Sequence, residues 1–181
     1  MNIIVDVDGV VADLHSVWLA RYNHDWNDCL RIEEITEWEL YKFVKCGKLI
    51  YSYLELPDLY DTVEPIPGAL KGVEFLRTMG FRVVFVTTGN RDQKFNWLQK
   101  HKFLPPTEWK DHPDYVCCKD KSLVRARIII DDNVDTLIAH PAWHILYDQP
   151  WNRHATAIAR AHNWQDVIAK VRYLWAATAE M

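Results

Sequence analysis

Five short apolar runs, separated by stretches of helical pattern, constrain this 181-residue chain more than any other feature. They are NIIVDV (2–7), RVVFVTT (82–88), DYVCC (114–118), ARIIIDD (126–132) and WHILYD (143–148). Their apolar character is continuous, not alternating. Strands of this kind are buried on both faces, as in parallel sheets covered by helices. Between them, GALKGVEFLRTM (68–79) sets Leu70, Val73 and Leu76 near helical spacing, with Pro67 ahead and Gly80 behind as start and stop. A second helical pattern over 92–102 carries Phe95, Trp97 and Leu98. A third, NWQDVIAKVRYLWA (163–176), has Asn163 at the N-cap and Val167, Val171 and Leu174 on one face. The alternation predicts an α/β fold: a doubly wound, Rossmann-like parallel sheet with helices on both faces.

Residues 14–64 break the pattern. They are rich in Trp, Tyr, Glu and Leu, carry no strand run, and end at the proline pair of EPIPG (64–68). They read as a small helical cap inserted after the first strand, leaving 1–13 and 65–181 as the core domain. The aromatics of the insertion (Trp18, Trp26, Trp38, Tyr41, Tyr51 and Tyr53) either pack it together or line a pocket for a planar ligand. Both readings stay open at this level.

Several function classes are disfavoured. The net charge is −4, and no block of Lys or Arg is long enough to track a polynucleotide backbone, so a nucleic-acid partner is not expected. No apolar run approaches the 18 residues or so of a membrane span. The strand-like run follows directly on Met1-Asn2, so no signal peptide is expected. Cys29, Cys46, Cys117 and Cys118 form no C-x-x-C pair, which fits reduced thiols and a cytoplasmic location. H-E-x-x-H, zinc-type Cys-His spacing, G-x-S-x-G and G-x-G-x-x-G are all missing. The sequence allows a homodimer without requiring one.

The polar residues that end the apolar runs carry the chemistry. Asp6 and Asp8 end the first and Thr87 and Thr88 the second. Lys119, Asp120 and Lys121 follow the third, and Asp131 and Asp132 end the fourth. In a parallel sheet these ends open on one edge, where ligands bind. Carboxylates clustered without an equal count of cations are costly unless a metal joins them, and oxygen-only ligands favour Mg²⁺ shared with phosphate. Lys121 as point charge and Thr87 as hydroxyl donor would complete a phosphate site. One aspartate can then act as nucleophile, and a second, two residues on, as general acid and later general base.

With these residues in place, DVDGVVAD (6–13), VVFVTT (83–88), Lys121 and IIIDD (128–132) resemble, in order, the four motifs of the haloacid dehalogenase superfamily. DGVVADL, VEPIPGALKGVEFL, KDKSLVRARIIIDD and NWQDVIAKV resemble more narrowly the 5′(3′)-deoxyribonucleotidase family, magnesium-dependent phosphatases of deoxynucleoside monophosphates. The resemblance implies Asp6 as nucleophile and Asp8 as acid/base. It implies Mg²⁺ on Asp6, Asp131 and the Asp8 main-chain carbonyl, with Asp132 at the same metal site. Thr87, Thr88 and Lys121 would hold the phosphoryl group, with Gly9 allowing close backbone approach. It also implies a small nucleotide substrate read by the cap. Leu14 stands where the family often stacks an aromatic on the base, Trp38 matches a cap tryptophan, and Lys119 falls at a family arginine. Thr88-Gly89 replaces the family's Ser-Pro, and the cap aligns poorly. Two alternatives keep the chemistry and change the substrate: another small phosphomonoester, or a polynucleotide 3′-phosphate end. A third is not an enzyme, namely a receiver-like phospho-acceptor domain, in which the acidic pair comes early in the chain and not last.

Overall fold

The computed structural model describes residues 1–107, 112–156 and 159–179. Its regular elements are β1 (Asn2–Val5), α1 (Leu14–Asp25), α2 (Ala69–Thr78), β2 (Arg82–Thr87), α3 (Arg91–Lys100), β3 (Tyr115–Cys117), β4 (Ile128–Asp131), α4 (Val134–Ala139), β5 (Trp143–Tyr147), β6 (Ala159–Ala161) and α5 (Trp164–Ala179). The six strands form one parallel sheet in the order β3-β2-β1-β4-β5-β6. Successive strands run outward from β1 in opposite directions, so β1 and β4 meet at the point where the winding reverses.

The continuous apolar runs explain the sheet's two covered faces. Ile3, Val5, Val83, Phe85, Ile128 and Ile130 point to one face, under α2, α3 and α5. Ile4, Val84, Val86, Ile129 and Leu146 point to the other, where they meet Leu137 of α4. Right-handed crossovers in the two winding directions put the covering helices on opposite sides. At the α2–α5 crossing a Cβ on Gly72 would lie 2.2 Å from the Trp164 ring, so only glycine fits in the middle of α2. Trp164 also donates its indole N–H to Val10 O at 2.9 Å, which ties α5 to the loop after β1. Asn163 caps α5 as expected, accepting from Asp166 N–H at 2.9 Å.

Two elements went unread in the sequence. β6 is the tripeptide Ala-Arg-Ala, with no apolar run, and α4 has six residues, too few for a helical period to show. Within 14–64, only α1 is α-helical. The rest are 3₁₀ turns at Ile32–Glu34, Leu40–Lys42, Gly47–Glu55 and Leu59–Thr62. Their apolar residues come in groups too short to sustain an α-helix, so each turn is held by burial. Trp18, Leu19, Tyr22, Leu40, Ile50 and Tyr53 form an apolar cluster there, joined by Trp151. No helix among the described residues is long and apolar enough to cross a membrane.

Candidate active site

The site begins where β1 stops. Asp6 N–H still donates to Ile130 O (3.0 Å), so the ladder to β4 runs one residue further and sets the Asp6 side chain at the end of β4. The chain then turns sharply: Val11 and Ala12 N–H groups both donate to Val7 O, and Gly9 N–H donates to Ala12 O. This turn projects Asp8 over the sheet edge. Gly9 sits at φ +73°, and a Cβ there would lie 2.8 Å from Asp132 Oδ2. That oxygen cannot yield, because it accepts the Trp151 indole N–H at 3.0 Å. Gly9→Ala is therefore expected to destabilise the fold by about 1–3 kcal/mol, from the left-handed backbone and the clash together, as a denaturant titration would measure.

The neighbouring strands supply the remaining groups. Thr87 ends β2, and Asp131 ends β4, its Oδ1 accepting from Asn133 N–H at 2.9 Å. Lys121 follows β3 on a 3₁₀ turn (Lys121–Leu123) capped by the Asp120 side chain. Its Nζ lies 2.6 Å from Asp6 Oδ1 and 2.7 Å from Asp131 Oδ2. Asp6, Thr87, Lys121 and Asp131 thus come from four adjacent strands and meet at the reversal point of the winding, where ligands bind in such sheets.

Asp8 has separate partners. Lys94 of α3 donates to Asp8 Oδ2 at 2.5 Å, to Thr87 Oγ1 at 3.1 Å and to the Thr88 carbonyl. The Tyr60 hydroxyl donates to Asp8 Oδ1. Asp6, Asp8, Thr87, Thr88, Lys121, Asp131 and Asp132 all line one cleft of about 460 Å³, and so do Leu14, Trp38 and Lys119. Gly9 lies beneath it, packed on Asp132. Trp18, Trp38 and Tyr51 line the cleft, while Tyr53 packs in the apolar cluster of residues 14–64.

The electrostatics of the cleft favour a divalent cation. Six carboxylates (Asp6, Asp8, Glu55, Asp131, Asp132 and Asp135) line the cleft against three amines (Lys94, Lys119 and Lys121), leaving three formal negative charges. Burial pushes the Asp131 carboxyl up to about 6; Lys121 opposes that shift and Asp6 adds to it. Burial, followed by the charges of Asp131 and Asp6, drives Asp132 well above the usual carboxylate range. Burial works against the Lys121 charge, yet Asp6 and Asp131 outweigh it and its pKa rises. Asp6, Asp131 and Asp132 each offer an oxygen within 4.8 Å of the others, a buried all-oxygen donor set that fits a hard divalent ion.

The model of the family described as 5′ nucleotidase, deoxy (Pyrimidine), cytosolic type C protein matches residues 1–176. The chain belongs to this family. It is a phosphomonoester hydrolase with a haloacid dehalogenase-like fold, the fold that the sequence motifs implied. Among curated relatives, the 5′(3′)-deoxyribonucleotidase of Bacillus subtilis (strain 168) is 29% identical over 174 residues, covering 93% of this chain and 97% of the relative. The 5′(3′)-deoxyribonucleotidase of Clostridium acetobutylicum is 29% identical over 170 residues, covering 91% of each chain. A haloacid dehalogenase-like hydrolase from Xanthomonas campestris superposes with a TM-score of 0.62 at 15% identity, covering 100% of this chain and 98% of that one. At that identity the likeness is one of fold.

Lys94, Tyr60 and Trp151 are among the cleft residues of this 5′ nucleotidase family member that were not read from its sequence. Lys94 stands mid-helix in RDQKFNW, away from any strand end. Its signal is its place on the helix face of Trp97 and Leu98, both buried, where a charge needs a partner. Tyr60 sits in the last turn of the insertion, with no local mark. Trp151 follows β5, whose end opens on the same edge as β4. The residues after that run, Asp148 to Asn152, held the signal. There Asn152 donates to Asp132 O and Tyr147 O, and Arg160 donates to Asn152 Oδ1 and Asp148 Oδ1. This network holds the turn that carries Trp151 into the cleft. His15 lies in the same wall, 4.2 Å from the Trp151 ring; burial lowers its pKa, and its Nδ1 has no hydrogen-bond partner among the described residues.

Proposed function

We propose that this chain hydrolyses (deoxy)nucleoside monophosphates to nucleoside and inorganic phosphate, through an aspartyl-phosphate on Asp6. The observation that carries the reading is the separate pairing of Asp6 and Asp8. They are two residues apart on one loop, yet Asp6 is held by Lys121 and Asp8 by Lys94 and Tyr60. Two carboxylates held by different partners, pointing to different parts of one cleft, can take different tasks. An Asp6 oxygen attacks phosphorus, and the bond to the ester oxygen breaks with its electron pair. Asp8 gives its proton to that oxygen as the nucleoside leaves, then takes a proton from the water that attacks the aspartyl-phosphate. Thr87, Thr88 and Lys121 hold the phosphoryl oxygens, with Lys119 adding positive charge at the mouth of the cleft. Mg²⁺ would be held by Asp6, Asp131, Asp132 and the Asp8 main-chain carbonyl. It supplies neutralisation of the charge that nucleophile and phosphate bring together.

Residues 14–64 act in this reading as a cap on a core of 1–13 and 65–181. Support comes from the apolar cluster of the insertion and from the two chain crossings, where Asp13 N–H donates to Glu64 O (3.0 Å) and Ile66 N–H to Val11 O (2.8 Å). Leu14, Trp38 and Trp151 offer the apolar wall on which a base would stack. Four free cysteines fit a reducing compartment such as the cytoplasm. The test is phosphate release across all ribo- and deoxynucleoside 5′- and 3′-monophosphates, with and without Mg²⁺. Mg²⁺-dependent release from deoxynucleotides is expected. Turnover of a 3′-phosphorylated oligonucleotide or another phosphomonoester, with every mononucleotide inert, would overturn the reading.

A further inference from the structure

We propose that Tyr60 is a positioning residue for Asp8, aligning its carboxyl group with the leaving oxygen. The proposal rests on the role of Asp8 given above. Among the described residues, the Asp8 carboxylate has two side-chain donors, one on each oxygen: Tyr60 on Oδ1 and Lys94 on Oδ2. The terminal torsion of an aspartate is soft and roughly two-fold, so a single donor leaves the carboxylate plane free to turn. Lys94 is shared with Thr87 and Thr88 and holds one oxygen only. The second donor fixes the plane.

Tyr60 can do this because it is itself held. It is buried, with its ring edge-on to Trp97 at 6.4 Å. The backbone around it is fastened to α3 at three points: Gln93 donates to Leu56 O (2.7 Å), Trp97 to Val63 O (2.8 Å) and Lys100 to Asp61 O (2.9 Å). The same helix carries Lys94, so one rigid element sets both donors of Asp8. Phenylalanine would fill the same space and pack on Trp97 equally well. A buried hydroxyl is costly without a partner, and Asp8 is the partner this one has. Because Tyr60 lies in the 14–64 insertion, seating of that segment and alignment of Asp8 are linked.

The test compares two esters on one preparation of Tyr60→Phe. A nucleoside monophosphate releases an alkoxide that needs a proton, whereas p-nitrophenyl phosphate releases a phenolate that leaves without one. For Tyr60→Phe, kcat/KM is expected to fall about ten-fold for the nucleotide and less than about two-fold for the aryl ester, part of the full effect of general acid catalysis. Any unfolded fraction cancels from the ratio. Equal losses on both esters, or no loss on either, would overturn the proposal. Asp8→Asn is the control. It should show the same dependence on leaving group, more strongly. If it does not, the acid role of Asp8 fails; if it does and Tyr60→Phe does not, only the role of Tyr60 fails.

Discussion

Asp6→Asn is expected to lower phosphate release by at least about 10⁴-fold while the fold and nucleotide binding persist. The amide keeps the shape of the carboxylate, and its oxygen can still accept from Lys121, which now lies 2.6 Å from Asp6 Oδ1. The amide oxygen is a weak nucleophile, so the bond to phosphorus does not form. Removing one negative charge from the cleft also removes repulsion toward the phosphate dianion, so KM should hold or fall as kcat collapses. The variant tests the nucleophile whatever the substrate, because every substrate reading shares the attack by Asp6. Residual activity above about 1% of the parent would sink Asp6 as nucleophile, since loss of a covalent nucleophile is typically far deeper.

The site was legible to the extent that its chemistry sits at strand ends. Asp6, Thr87, Lys121 and Asp131 each close an apolar run or follow one, and a parallel sheet turns that one-dimensional mark into proximity. Asp8 and Asp132 came with their neighbours. What was not legible lies on other elements. Lys94 reaches the cleft from mid-helix and Tyr60 from the end of the insertion. Their meeting at Asp8 depends on how α3 packs against 56–63, which no spacing in the sequence encodes. Trp151 followed a recognised run and was missed because its strand neighbours β4 only through the sheet order. In the fold, the long apolar strands and the capped α5 could be read, whereas β6 and α4 are too short to carry a period. The insertion showed its composition but not its 3₁₀ character, because burial and not propensity shapes those turns.

Lys121→Met is expected to destabilise the metal-free protein by about 3–5 kcal/mol, because it strands buried carboxylates without their amine. For a chain of this size that corresponds to a fall in Tm of roughly 6–20 °C. Lys121 is 6% exposed and bridges Asp6 and Asp131, and Asp132 lies in the same buried group. Those three carboxylates are also the set that fits a divalent ion. The amine and the ion therefore neutralise the same charge. A ligand that binds only the folded state stabilises it by mass action, and it binds more tightly where more unbalanced charge awaits it. Saturating Mg²⁺ should accordingly raise the Tm of Lys121→Met more than that of the parent, recovering much of the loss. Activity should not recover with it, because the ion replaces the amine as a partner for Asp6 and Asp131 but not as a contact to the phosphoryl oxygens. Scanning calorimetry of both proteins in EDTA and in Mg²⁺ tests the first half, and phosphate release under the same conditions tests the second. If Mg²⁺ shifts both proteins equally, the carboxylate group does not hold the ion. If it restores turnover along with stability, Lys121 balances charge in the empty cleft and has no part in holding the substrate.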